Sequence, residues 1–160
     1  MSEQPSHRFR ILLLFTLLGL VSSLKSEAAD IAVIVHPDVP FENVTFVELR
    51  RLVLGDRQFW NSNLRVTIIL HAPVARDRDV VLRKIYQMTE AQYRQYWIGK
   101  VFRAESTAGP KTAYSSSMAI GLVANIPGAL TFVDAAEVPR DLKILRVNGL
   151  LPGEPGYPLQ

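Results

Sequence analysis

Apolar and polar positions along this chain alternate between two kinds of spacing. Ile31-Ala32-Val33-Ile34-Val35 is a continuous apolar run rich in β-branched residues, which predicts a strand buried on both faces, and Pro37 and Pro40 force a loop after it. From Val44 to Trp60 the spacing turns helical: Phe46, Leu49, Leu52 and Val53 form one stripe, while Arg50 and Arg51 point elsewhere. Both ends of that helix are specified. Thr45 and Glu48 make a capping box, Val44 can staple onto Leu49, and Gly55 can take the left-handed conformation that closes the last turn. Leu64 to His71 is a second strand-like run. Strand, helix, strand is the βαβ pattern, which predicts two parallel strands joined by a right-handed crossover.

Ala72 to Asp79 reads as a loop, with Asp77 or Asp79 capping a helix from Val80 to Met88 whose stripe is Val81, Leu82, Ile85 and Met88. Thr89 and Gln92 make a second capping box, and Tyr93, Tyr96, Trp97 and Val101 fall on one face as an aromatic stripe, expected to pack into the core, with a ligand-stacking surface as the alternative. Periodicity is lost from Phe102 to Thr112, where Gly109-Pro110 marks a loop, and Ser115-Ser116-Ser117 offers N-caps for a helix through Ala124. Residues 129–133 and 142–147 read as two further strands, with a single helical turn over 134–137. Pro152, Gly153, Pro155, Gly156 and Pro158 make 151–160 an irregular tail, expected to be a loosely held terminus.

The first residues differ in kind. His7, Arg8 and Arg10 precede an apolar run from Ile11 to Leu24, and Ser26-Glu27-Ala28 places small residues where a signal peptidase reads them. Residues 1–28 are therefore expected to be a cleavable signal peptide, and 29–150 the folded domain. The run is shorter than the roughly 18 to 20 residues that span a bilayer, so export to the periplasm is expected, with an uncleaved membrane anchor as the alternative.

Composition narrows the classes. A length of 160 residues with 48% hydrophobic and 21% charged composition suits one core and is too short for two. The net charge of +3 comes without a Lys/Arg run or aromatic ladder, so nucleic acid is not an expected partner. There is no cysteine, which excludes disulfides and thiolate chemistry.

The order of these motifs resembles the second lobe of phosphate-binding proteins from ABC transporters. The similarity rests on a strand ending in His36-Pro37, the Thr45–Leu52 helix, Leu54-Gly55-Asp56-Arg57 and Trp60. It continues through Thr89–Trp97, Gly109-Pro110 and Pro127–Asp134. The resemblance implies an α/β fold, a single lobe like that of a type II periplasmic binding protein, with a mixed and mostly parallel sheet flanked by helices. It also implies extracytoplasmic solute binding of phosphate or a related oxyanion, with an inner-membrane transporter as partner, no cofactor and no catalysis. The chain departs from the pattern in two ways. The family follows the equivalent strand with an Arg and a Ser-Gly-Thr that grip phosphate, whereas here the stretch reads Ala72-Pro73-Val74-Ala75-Arg76. The family also closes two lobes on its ligand. The rival expectation is therefore a single-lobe envelope interaction module that has lost ligand binding.

In a parallel sheet, ligands sit beyond the carboxyl ends of strands, which here points to His36 and His71. The loop after His71 leads into a helix, so Arg78 is expected as the main contact to an anion, with Arg76 and His71 assisting and Ser115 and Ser116 adding hydroxyls. The bland alternative is that Arg76, Asp77, Arg78 and Asp79 neutralise one another on the surface. His36, His71, Asp38 and Asp79 lack the tight spacing of a zinc site, so no metal is expected. No Gly-Xaa-Ser-Xaa-Gly elbow and no phosphate-cradling glycine loop is present, so the chain is not expected to be an enzyme.

Overall fold

The computed structural model describes residues 29–160. The signal peptide expected over 1–28 lies outside the described residues. Among those residues, no helix is long and apolar enough to cross a membrane.

Strands β1 (Ile31–Val35), β3 (Thr67–His71), β4 (Lys111–Ala113), β5 (Ala129–Asp134) and β6 (Lys143–Ile144) form one sheet in the order β4-β3-β5-β1-β6. β3 is parallel to both β4 and β5, whereas β1 is antiparallel to β5 and β6. The sheet is thus mixed, with β1 alone reversed. A short β2 (Asn43–Val44) pairs in parallel with β7 (Arg146–Val147) beside it. The predicted strand over 142–147 divides here: Leu145, fully buried, donates its N–H to Val33, and the chain passes from one sheet to the other.

The simple βαβ unit is corrected by this order. β5 lies between β1 and β3, and those two strands run in opposite directions. The cause lies in the segment after α1 (Phe46–Val53). Phe59 bridges to Arg65 around Asn61, whose side-chain oxygen accepts from the amides of Asn63 and Leu64, and this extra reversal feeds the chain into β3 from the other end. Gly128 lets that hairpin close onto the sheet. Its φ is +73°, and a Cβ there would lie 2.1 Å from the carbonyl oxygen of Arg65.

Local signals in the sequence are realised where they concern short range. Thr45 accepts from the Glu48 amide at 3.2 Å while Glu48 takes the Thr45 amide at 2.8 Å, and Gly55 has φ +71°. Thr89 and Gln92 do the same at the head of α3 (Glu90–Phe102). Ser115 caps α4 (Ser116–Asn125) by accepting from the Met118 amide. The helix after His71 begins earlier than its stripe suggested. α2 spans Arg76–Val81 from the uncapped Ala75, then widens into a π turn over Leu82–Tyr86 that ends at left-handed Gln87. Asp77 is not a cap; it sits inside the first turn.

β1 divides the core by alternation. Ile31, Val33 and Val35 face the layer of α1, α2 and α3, together with Leu49, Leu52 and Trp60; Ala32 and Ile34 face α4, together with Ile69, Ala119 and Val123. In the aromatic stripe Tyr93 and Trp97 are buried and Tyr96 is half-buried, but Val101 is exposed.

The tail is irregular, yet it is not loosely held. Tyr157 and Leu159 are buried, the Tyr157 hydroxyl donates to the Ile31 carbonyl at 2.8 Å, and the Ile31 amide donates to Leu159 at 2.8 Å. Prolines and glycines exclude a helix here without excluding packing, because the side chains between them supply apolar area to bury. Leu159→Ala should therefore lower stability by about 2 to 5 kcal/mol, the range for emptying a buried leucine site. A shift of the urea midpoint checks this, and an unchanged midpoint would show the terminus to be free.

Candidate functional site

β3, β4 and β5 are parallel, so their carboxyl ends meet on one side of the molecule. A cleft of about 300 Å³ opens there. Its walls include His71 at the end of β3, Arg76 and Asp77 at the start of α2, Ser115 and Ser116 at the head of α4, and Asp134 at the end of β5. Four residues expected from sequence, His71, Arg76, Ser115 and Ser116, thus surround one cleft. His36 does not join them, because β1 runs the other way; its Nδ1 accepts from the Asp38 amide at 3.1 Å and closes its own turn.

Arg78 does not face the cleft either. It is buried, with Nε and Nη2 donating to Glu90 at 3.0 and 2.8 Å and Nη1 donating to the His71 carbonyl at 2.8 Å, and its guanidinium lies 4.7 Å from the centre of the Tyr93 ring. Its expected role as the main anion contact is therefore corrected. A helix that starts at Arg76 instead of Val80 turns Arg78 inward, toward α3, where Glu90 receives it. The bond from Arg78 holds the Glu90 carboxyl below its ordinary range. Burial works most strongly against the charge on Arg78, but Glu90 and Tyr93 together outweigh it and the guanidinium is raised.

The remaining groups of the cleft are also partnered from within. His71 Nδ1 is hydrogen-bonded to the Asp77 carboxylate, which also accepts the Arg78 amide at 2.8 Å. Arg76 donates to Asp134 at 3.1 Å and to the Ala29 carbonyl at 2.7 Å. Ser116 donates to Glu137, and Ser115 spends one lone pair on the Met118 amide. Asp77, Asp134 and Glu137 together outnumber the single guanidinium of Arg76. The cleft is therefore acidic, and an oxyanion entering it meets carboxylates.

Two chemical limits follow from the geometry. His71 Nε2 is buried and, among the described residues, has no hydrogen-bond partner; no serine hydroxyl there reaches it. Among the described residues no three His, Asp or Glu side chains converge to hold a metal ion. Val74, exposed on the loop between β3 and α2, holds φ +72°, a conformation that a β-branched residue adopts only under constraint. Sequence reasoning missed Asp134, Glu137 and Glu90. The first two follow from placing β5 beside β3, which the βαβ reading had not done; Glu90 stands at the first position of α3, where an acid is also explained by the helix dipole.

No protein-family model and no curated protein matches this chain. Solved structures do. A phosphate ABC transporter substrate-binding protein from Clostridium perfringens with bound phosphate superposes with a TM-score of 0.61 at 16% identity, over 76% of this chain and 46% of the other. An ABC-type phosphate transport receptor from Vibrio cholerae gives 0.62 at 16%, over 78% and 48%. PstS from Borrelia burgdorferi gives 0.60 at 15%, over 78% and 49%. The chain has the fold of about one lobe of these proteins. It spans about half their length, and at this identity the likeness concerns the fold alone.

The Arg78–Glu90 pair makes stability sensitive to acid. Glu90 is depressed in the folded chain, so its contribution is complete above the ordinary carboxylate value of 4.5 and is lost as pH falls through the depressed one. Tyr93, pushed up to about 12 by burial, contributes the converse: its share is complete below pH 10 and is lost as pH rises from 10 toward 12. Arg78→Ala should cost about 3 kcal/mol, the lower part of the range for breaking a buried pair, since Glu90 retains some solvent contact. Urea titrations across pH check this: Glu90→Gln should flatten the acid limb and change the alkaline one much less, since burial is the largest cause of the Tyr93 shift.

Proposed function

We propose that this chain is a non-catalytic binding module with the substrate-binding-protein fold, acting outside the cytoplasm after loss of residues 1–28. In this reading it docks on a membrane transporter or another envelope protein instead of enclosing an oxyanion. The observation that carries it is the internal pairing of the cleft and of the buried arginine beside it. Arg78 is committed to Glu90, Arg76 to Asp134, and Ser116 to Glu137, so the groups that would grip phosphate already have partners within the lobe.

A second reading keeps oxyanion binding for ABC transport, of phosphate or a related anion. What favours it is the assembly of His71, Arg76, Ser115 and Ser116 around one cleft at the head of α4, and the phosphate bound in the matched Clostridium perfringens protein. The head of α4 presents free amides beside these side chains, which is favourable for an anion. Against it stand three carboxylates in the same cleft.

Calorimetry of the purified protein against phosphate and sulfate separates the two. Phosphate should bind with Kd of about 1 mM or weaker, equivalent to roughly 4 kcal/mol. Neutralising the cleft with Asp134→Asn and Glu137→Gln together should strengthen it by about tenfold, by removing repulsion and freeing Arg76 and Ser116. Submicromolar binding by the unaltered protein, lost in Arg76→Gln, would instead establish the oxyanion reading.

A further inference from the structure

Charge differs between the two ends of the sheet. At the amino ends of β3 and β4, away from the acidic cleft, lies a second cavity of about 260 Å³. Leu52, Val66, Ile68 and the Trp97 ring give it apolar walls. Its polar rim includes Arg57, Arg65 and Lys111 and no carboxylate.

None of these three cations forms an ion pair among the described residues. Arg57 donates to the carbonyls of Phe59 and Trp60 at 3.1 and 2.8 Å, and Arg65 to the Thr107 hydroxyl at 2.9 Å; Lys111 is exposed and its ammonium bonds no acceptor among the described residues. The acids flanking the rim in sequence are already paired: Asp56 with Lys100 at 2.6 Å, and Glu105 with Arg103 at 2.6 Å. Three like charges around an apolar hollow repel one another, and the field they focus there attracts an anion. Arg76, Arg78, Lys100 and Arg103 are matched to carboxylates, whereas this cavity gathers three cations in one lining that holds no acid.

The wall composition selects the kind of anion. A bare inorganic ion would leave half-buried Val66 and the remaining accessible edge of the Trp97 ring in contact with water. A compact apolar body bearing one charged group would cover that surface and present its charge to Arg65 and Lys111. The volume lies just below the usual range for ligand pockets, which suits a body about the size of one ring. We propose that this cavity binds a small organic anion, an apolar body that carries a phosphate or carboxylate. Beyond Trp97 and Gly109 the surface continues into exposed Ile98, Val101 and Phe102, so an anionic lipid, its chain laid on that strip, shares the required chemistry with a free organic anion.

Phenyl phosphate is a suitable probe, followed by calorimetry with the purified protein. It should bind at one site, at least about tenfold more tightly than inorganic phosphate or benzyl alcohol, each of which supplies only half of the recognition. Arg65→Gln and Lys111→Gln, both at exposed positions, should each weaken it by about tenfold or more. Lys84→Gln, an equal loss of charge on the exposed side of the π turn, should leave it unchanged. Displacement of phenyl phosphate by vesicles of anionic phospholipid would support the site and name lipid as the source; displacement by benzoate, but not by vesicles, would support it and name a free anion. No binding, binding indifferent to both Arg65 and Lys111, or binding lost in Arg76→Gln would overturn the proposal. Arg65 and Lys111 do not line the carboxyl-end cleft, so phosphate behaviour there leaves this result independent.

Discussion

Arg78 is the point at which the helical layer is tied to the sheet. One guanidinium reaches the His71 carbonyl at the end of β3, both oxygens of Glu90 at the start of α3 and the face of Tyr93, while its own backbone belongs to α2. A buried charge with a bidentate partner and a carbonyl is stable only if all of them stay in place, so the pair fixes the angle at which α2 and α3 meet the strand ends. This constraint also decides what the neighbouring cleft can do. An arginine that holds two helices to a strand is not free to hold an anion, and the cleft beside it keeps only Arg76 against three carboxylates.

The two ends of the sheet therefore have opposite electrostatic character. At the carboxyl end, cations and hydroxyls are answered by Asp77, Asp134 and Glu137; at the amino end, Arg57, Arg65 and Lys111 form no ion pair among the described residues. The fold is shared with phosphate-binding proteins, but a fold positions loops and does not choose their side chains. In this chain the place where such folds take ligands is acidic, and the cationic hollow is at the far end.

Short-range structure was legible in the sequence because its causes are short-range. The capping boxes at Thr45 and Thr89 and the serine cap at Ser115 each depend on residues three apart, and each is realised. The all-buried character of β1 followed from five consecutive apolar residues. What was not legible depends on which strand lies beside which. Placing β5 between β1 and β3 reverses the sense of β1, removes His36 from the ligand end and brings Asp134 and Glu137 into the cleft, and no local pattern encodes that order. The early start of α2 was hidden for a related reason. Ala75 supplies no capping oxygen, and Asp77, which resembles a cap in sequence, is recruited by His71 across the loop. Tyr157 and Leu159 were concealed by the prolines and glycines around them.

The position of β5 also bears on when the fold can form. It is the strand that joins β1 to β3, yet it lies at 129–134, and β1 gains further hydrogen bonds from Leu159 and Tyr157, more than 120 residues away in sequence. α1 and its cap can form early, because those contacts are local. The sheet must wait: until β5 pairs, β1 and β3 have no strand between them, and β1 remains an apolar edge open to other chains. Assembly of this lobe is thus a late and collective event, and the interval before it is the time at which the protein is most exposed to aggregation.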